Sequence, residues 1–225
     1  MKIYRIPQNL RAIIFDLDST LYTNEEYAKT QIDLPIELLS ILQKKSFEKM
    51  KEEIILFQKK WSEQHEGKII SLANTFLHFG INTDDLILWR SRLFQPEQYL
   101  RKDKKLIAAI KELGSMAVLS VITNNPVSIA KRTLEVLGVE VLFHTVIGLD
   151  TWDISKPCEE LFLGAAKLCG AEPEMCIAVG DRYDIDIALP LELGMGGILV
   201  DGVYDVYQLP SLIKNGDLID QTGKT

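Results

Sequence analysis

The sequence predicts an α/β fold, a doubly wound parallel sheet carrying an inserted all-helical domain. Three observations predict it. Short apolar runs such as Ala12-Ile13-Ile14-Phe15 and Cys176-Ile177-Ala178-Val179 read as strands buried on both faces, the pattern of a parallel sheet. From Lys102 onward such runs alternate with helical periodicity, the signature of strand–helix crossovers. Between the first run and Met116 lies a long segment with helical periodicity and no strand pattern. The expected division is residues 1–21 and 101–225 for the α/β core, with 22–100 as the helical insert.

Within the insert, Phe47, Met50, Ile54, Phe57 and Trp61 fall three and four apart and share one helix face, with Lys and Glu between them. Gly67 marks a stop. Ile69, Leu72, Phe76 and Phe79 continue the spacing to Gly80. Thr83-Asp84-Asp85 can cap a further helix through Leu86, Trp89, Arg90 and Leu93. The aromatic stripe reads as core packing; Arg90 and Arg92 could read a substrate anion, but a solvated helix face is the better reading. In the second core segment, Leu106, Ile107, Ile110 and Leu113 define a helix ended by Gly114. Met116–Ile122 reads as a strand. Pro126 opens a helix that Gly138 ends. Val141–Ile147 holds a short strand or two, Pro157–Gly170 is helical, Cys176–Val179 is a strand, 184–194 a helix and Ile198–Val200 a strand. Leu209–Lys214 is a last helical turn, and the polar tail after Asn215 is expected to fray.

The chain has 225 residues, 47% of them hydrophobic, with a net charge of -7 and no dense basic stripe, which argues against a nucleic acid partner. No apolar stretch reaches the roughly 20 residues of a membrane span, and the start lacks a signal-peptide core. Cys158, Cys169 and Cys176 have no metal or redox spacing and suit a reducing cytoplasm. His65, His78 and His144 are scattered and read as structural or exposed.

Polar groups follow four predicted strands in turn: Asp16 and Asp18; Thr123, Asn124 and Asn125; Ser155-Lys156-Pro157; and Gly180-Asp181 with Asp184 and Asp186 behind. Each has a plain alternative as a turn, a helix cap or a solvated side chain. In a parallel sheet, however, these ends face one crevice. Together they suit phosphoryl transfer through an aspartyl-phosphate. One carboxylate can attack as nucleophile while the other, Asp18, moves the proton. Asp16 and Asp181 can hold Mg²⁺, which prefers oxygen ligands. Lys156 offsets the charge of a phosphoryl group, and Thr123, with Asn124 beside it, can bind that group.

The ordered motifs Phe15-Asp16-Leu17-Asp18-Ser19-Thr20-Leu21, Val121-Ile122-Thr123-Asn124-Asn125, Ser155-Lys156-Pro157 and Val179-Gly180-Asp181-Arg182-Tyr183-Asp184-Ile185-Asp186-Ile187 resemble the haloacid dehalogenase-like superfamily, in its phosphatase branch. The resemblance runs from about Arg11 to Val200 and implies a Rossmann-like core whose helical insert is a C1-type cap. It implies Asp16 as nucleophile and metal ligand, Asp18 as acid/base that also offers its backbone carbonyl to the metal, Thr123 as phosphate ligand and Lys156 as the residue that steadies nucleophile and phosphate. Asp181 is the further Mg²⁺ ligand, supported by Asp186 on register with Ile187-Ala188, or by Asp184. The implied activity is Mg²⁺-dependent hydrolysis of a small phosphorylated metabolite such as a nucleotide monophosphate, phosphoglycolate or a sugar phosphate. A phosphomutase and a non-catalytic phosphate-binding relative are the alternatives. A dehalogenase is disfavoured, because such enzymes lack the acid at the position of Asp18. Oligomeric state is left open.

Overall fold

Four apolar residues with no side chain that water would reward make Ala12–Phe15 (β2) the centre of the molecule, and all four are buried. The computed structural model describes residues 1–214, so the expectation for the tail after Asn215 lies outside the described residues. A six-stranded sheet contains β1 (Lys2–Arg5), β2, β3 (Val118–Ile122), β4 (Thr145–Ile147), β5 (Cys176–Gly180) and β6 (Gly196–Leu199) in the order β1-β6-β5-β2-β3-β4. Every pairing is parallel except β1 with β6, so the expected parallel sheet carries one antiparallel edge strand.

The chain runs outward from β2 through β3 to β4, then crosses back to β5 on the other side of β2. That reversal opens a crevice beyond the carboxyl end of β2. Phe15 is level with Val121 and with Val179. Asp16, one residue on, therefore emerges between the ends of β3 and β5, and its backbone N–H donates to Val179 O at 2.8 Å.

Alternation along β2 divides the core into two layers. Ile13 and Phe15 join Leu119, Val121, Ile177 and Val179 beneath α6 (Lys104–Gly114) and α7 (Val127–Leu137). Ala12 and Ile14 join Ile122 and Ala178 beneath α9 (Glu159–Leu168). Gly138 ends α7 at φ +82°, the left-handed cap that its position in the sequence predicts.

Between β2 and β3 lie α1 (Glu25–Leu42), α2 (Phe47–Gln64), α3 (Leu72–His78), α4 (Thr83–Leu93) and α5 (Pro96–Tyr99). The first four start at side-chain caps: Asn24, Ser46, Ser71 and Asn82 each accept a backbone N–H three residues on. Asn82, not Thr83, caps α4, because its carboxamide oxygen reaches Asp85 N at 2.8 Å. Ile36, Leu39, Met50, Ile54, Phe76 and Leu86 form a separate apolar cluster joined by Leu149 from α8 (Leu149–Trp152). Helix α1 holds Pro35 in its interior, where the missing N–H leaves the carbonyl of Gln31 without its helical donor.

In place of one continuous helix, β5 is followed by a π-type turn over Tyr183–Ile187 and α10 (Ala188–Glu192); after β6 come α11 (Val203–Val206) and α12 (Leu209–Lys214).

Candidate active site

Strand β2 delivers Asp16 into a cluster of buried charge. Lys156 Nζ, only 1% exposed, donates to Asp16 Oδ1 at 2.5 Å and to Asp186 Oδ1 at 2.6 Å. Thr20 Oγ1 donates to Asp16 Oδ2 at 3.2 Å. Burial works to lower the Lys156 pKa, but Asp16 and Asp186 outweigh it and hold the ammonium above its ordinary range.

Asp16, Asp181 and Asp186 offer carboxylate oxygens that all lie within 4.8 Å of one another. A single lysine cannot balance them. Burial, followed by the charges of Asp16 and Asp186, pushes Asp181 up to about 7. Burial also raises Asp186, against the pull of Lys156. Asp181 Oδ1 is buried with no hydrogen-bond partner among the described residues, its neighbour Arg182 Nε standing off at 3.8 Å. An orphaned oxygen beside two more carboxylates is a donor set suited to a hard divalent cation such as Mg²⁺.

The fourth motif brings Asp186 into this cluster and leaves Asp184 exposed on the surface. The π-type turn makes the difference, since it rolls Ile185, Asp186 and Ile187 inward together. Asp186 Oδ2 accepts from Arg182 N at 3.1 Å. Gly180 makes the approach possible, because a Cβ there would come within 2.6 Å of Asp186 Cγ.

Asp18 sits in a different network. Its Oδ1 accepts from Tyr22 Oη at 2.6 Å and Gln31 Nε2 at 3.0 Å, and its Oδ2 accepts from Asn125 Nδ2 at 2.9 Å and Thr123 Oγ1 at 3.1 Å. Asn125 Nδ2 also donates to Gln31 Oε1 at 3.0 Å, closing a ring. Directly after Asp18 the chain turns through Ser19 at φ +62°, a left-handed conformation. The Asp18 side chain is thus outside the carboxylate cluster, and a metal role for this residue rests on its backbone carbonyl.

Thr123 is buried with its hydroxyl turned to Asp18. The Asn124 carboxamide faces the lysine loop, where Oδ1 accepts from Lys156 N at 2.7 Å and Nδ2 donates to Lys156 O at 3.2 Å. This reciprocal pair fixes the backbone that carries Lys156.

A cavity of about 270 Å³ opens over these groups, lined by Asp16, Asp18, Gln31, Arg90, Asn124 and Asp181 among others. Arg90 corrects the expectation of a solvated face. It is 6% exposed and donates through Nη1 to Asn124 O and to Asn125 Oδ1. Arg92, two residues on, is exposed as expected. The sequence held one signal for Arg90: it lies four residues after buried Leu86 and so shares its face. Tyr22, at the same spacing from Asp18, and Gln31 were missed because neither belongs to a motif.

The family model of haloacid dehalogenase-like hydrolases matches residues 10–194, which include all four strand ends. The chain belongs to this family. It is 25% identical over 239 residues to the glyceraldehyde 3-phosphate phosphatase of Methanocaldococcus jannaschii, covering 96% of this chain and 99% of that one. It is 24% identical to the phosphoglycolate phosphatase of Aquifex aeolicus, over 79% of this chain and 78% of that one. Among solved structures it is similar to a phosphatase of the family from Thermococcus onnurineus, with a TM-score of 0.60 at 20% identity over 91% of this chain and 98% of the other. The last comparison bears on the fold alone.

Proposed function

We propose that the protein is a phosphatase that hydrolyses a small phosphate monoester through an aspartyl-phosphate. The observation that carries this reading is the buried set of Asp16, Lys156, Asp181 and Asp186 under a cavity that Asp18 also lines. Curated relatives that act on glyceraldehyde 3-phosphate and phosphoglycolate support it and point to a small phosphorylated metabolite.

In this reading Asp16 attacks phosphorus, and Lys156 holds its carboxylate in place while offsetting its charge. The bond from phosphorus to the leaving oxygen breaks, and Asp18 delivers the proton to that oxygen. Asp18 then takes a proton from the water that cleaves the aspartyl-phosphate and returns Asp16 to its carboxylate. Thr123, by its bond to Asp18, fixes the acid/base as well as standing at the phosphate end of the site. Asn124 lines the substrate cavity and braces Lys156. The side chains of Asp16, Asp181 and Asp186, with the backbone carbonyl of Asp18, would hold Mg²⁺, whose charge offsets that of the phosphoryl group when bound.

Residues 22–100 serve as the cap. Helix α1 supplies Gln31, the start of α3 supplies Ser71 and α4 supplies Arg90 to the cavity, so this segment both excludes water and meets the leaving group. The free thiols Cys158, Cys169 and Cys176 support a cytoplasmic setting. The test is release of inorganic phosphate from a panel of small phosphate esters, with Mg²⁺ or a chelator, beside Asp16→Asn. Chelator-sensitive release that disappears in the variant is expected. An isomeric ester as the sole product, or release undiminished in Asp16→Asn, overturns the reading.

A further inference from the structure

Among the described residues, the charge of Arg90 is not matched by anything it touches. Its Nη1 bonds end on neutral acceptors, Asn124 O and Asn125 Oδ1. Its Nε is buried and has no partner among the described residues. The nearest acid to influence it is Asp18, whose two oxygens already accept four hydrogen bonds. The other guanidinium on the cavity, Arg182, differs, because it stands 3.8 Å from Asp181 and 4.0 Å from Asp186. Burial lowers the Arg90 pKa to about 10, the mark of a cation held away from water without an ion partner. An unpaired buried charge is costly unless a ligand completes it.

We infer that Arg90 reads a second anionic group on the substrate, a carboxylate or a further phosphate beyond the one being transferred. Both Nη1 bonds hold one edge of the guanidinium to the loop after β3; the Nε–Nη2 edge makes no hydrogen bond among the described residues, on a side chain that lines the cavity. That edge presents two parallel N–H groups, which match the two oxygens of a carboxylate or phosphate. Arg90 and Asp16 line the same cavity of about 270 Å³, so the two anions belong to one small molecule. The inference rests on the hydrolytic reading only for the identity of the first anion.

Three esters of similar size test it: glycerol 3-phosphate, with a neutral end, 3-phosphoglycerate, with a carboxylate there, and propane-1,3-diol bisphosphate. The wild-type protein is expected to favour one of the two compounds with a second anionic group, and which one identifies the group. Arg90→Gln is expected to reduce the kcat/KM ratio of that compound to glycerol 3-phosphate by about 10–100-fold, the loss of one charge-assisted hydrogen-bonding group. Arg90→Lys, which keeps the charge and loses the fork, should fall between, and its circular dichroism guards against a folding effect. Equal losses on all three esters make Arg90 a latch between α4 and the core, and overturn the inference. So does a wild-type protein that prefers the neutral ester. Calorimetric binding of the same esters to Asp16→Asn, with and without Arg90→Gln, reads the preference without turnover. Absence of hydrolysis with the binding preference intact would therefore count against the phosphatase reading alone.

Discussion

Replacing Lys156 with Met removes the cation shared by Asp16 and Asp186 while nearly conserving volume. Taking away one partner of a buried ion pair costs about 3–5 kcal/mol, because the other charge is left in the interior. Here Asp186, with Asp181 beside it, can escape by taking up a proton, which makes the cost depend on pH. In the folded protein Asp181 is raised to about 7 and Asp186 is raised as well, and in both cases Lys156 is one of the influences holding the value down. A carboxyl raised above its unfolded value near 3.9 contributes stability below that pH and loses it as pH rises through the folded value. Without Lys156 the folded values move higher still, so the variant pays little at pH 5 and nearly the full amount at pH 8. For a chain of this size, the penalty at pH 8 corresponds to roughly 6–20 °C in melting temperature. Thermal melts of both proteins in a chelator at pH 5 and pH 8 measure it. The same depression at both pH values, or a depression under about 2 °C at pH 8, would refute the reasoning.

Wild-type protein in a chelator should itself lose stability between about pH 4 and 7, as Asp181 ionises, and added Mg²⁺ should raise the melting temperature more at pH 8 than at pH 5. Asp186→Ala should abolish that Mg²⁺ effect, whereas Asp184→Ala, at an exposed site, should stay within about 0.5 kcal/mol of wild type in a denaturant titration. Gly180→Ala should displace Asp186 and weaken Mg²⁺ binding on the order of 10–100-fold by calorimetry, with the sheet intact by circular dichroism. Gln31→Ala should reduce kcat about tenfold, since one hydrogen bond to Asp18 and one acceptor for Asn125 go together, and an unchanged kcat would remove Gln31 from the site.

Ala12–Phe15 and Cys176–Val179 could be read as central strands because a strand covered on both faces has only apolar residues to show. The acids and the lysine could be read because each stands where such a run, or the turn beyond it, gives way to polar residues. β1 could not, since an edge strand of Lys-Ile-Tyr-Arg is half in water and has no such contrast. Helix α1 was hidden by Pro35, which reads as a break although the helix continues through it. Asp184 and Asp186 are the same residue type two positions apart, and the turn that buries one and exposes the other is decided by packing of Ile185 and Ile187, not by the acids. Arg90 shares a face with Leu86, but its helix meets both α1 and the core, and one apolar residue does not mark a charged neighbour as inward.

The central place of β2 also governs the order in which the molecule can assemble. It is made before both of its hydrogen-bonded neighbours, Val118–Ile122 and Cys176–Gly180, and Asp16 meets a lysine 140 residues away. The first four helices between can gather on an apolar cluster of their own while the strand waits. A nascent chain that stops short of Gly180 has β2 paired on one side and bare on the other, an open edge of the kind that recruits other chains. Chains truncated after residue 170 should therefore aggregate on refolding where chains ending at 214 do not, as light scattering would register. The strand that leads into Asp16 precedes both of its neighbours in the chain and is enclosed only when the second of them arrives.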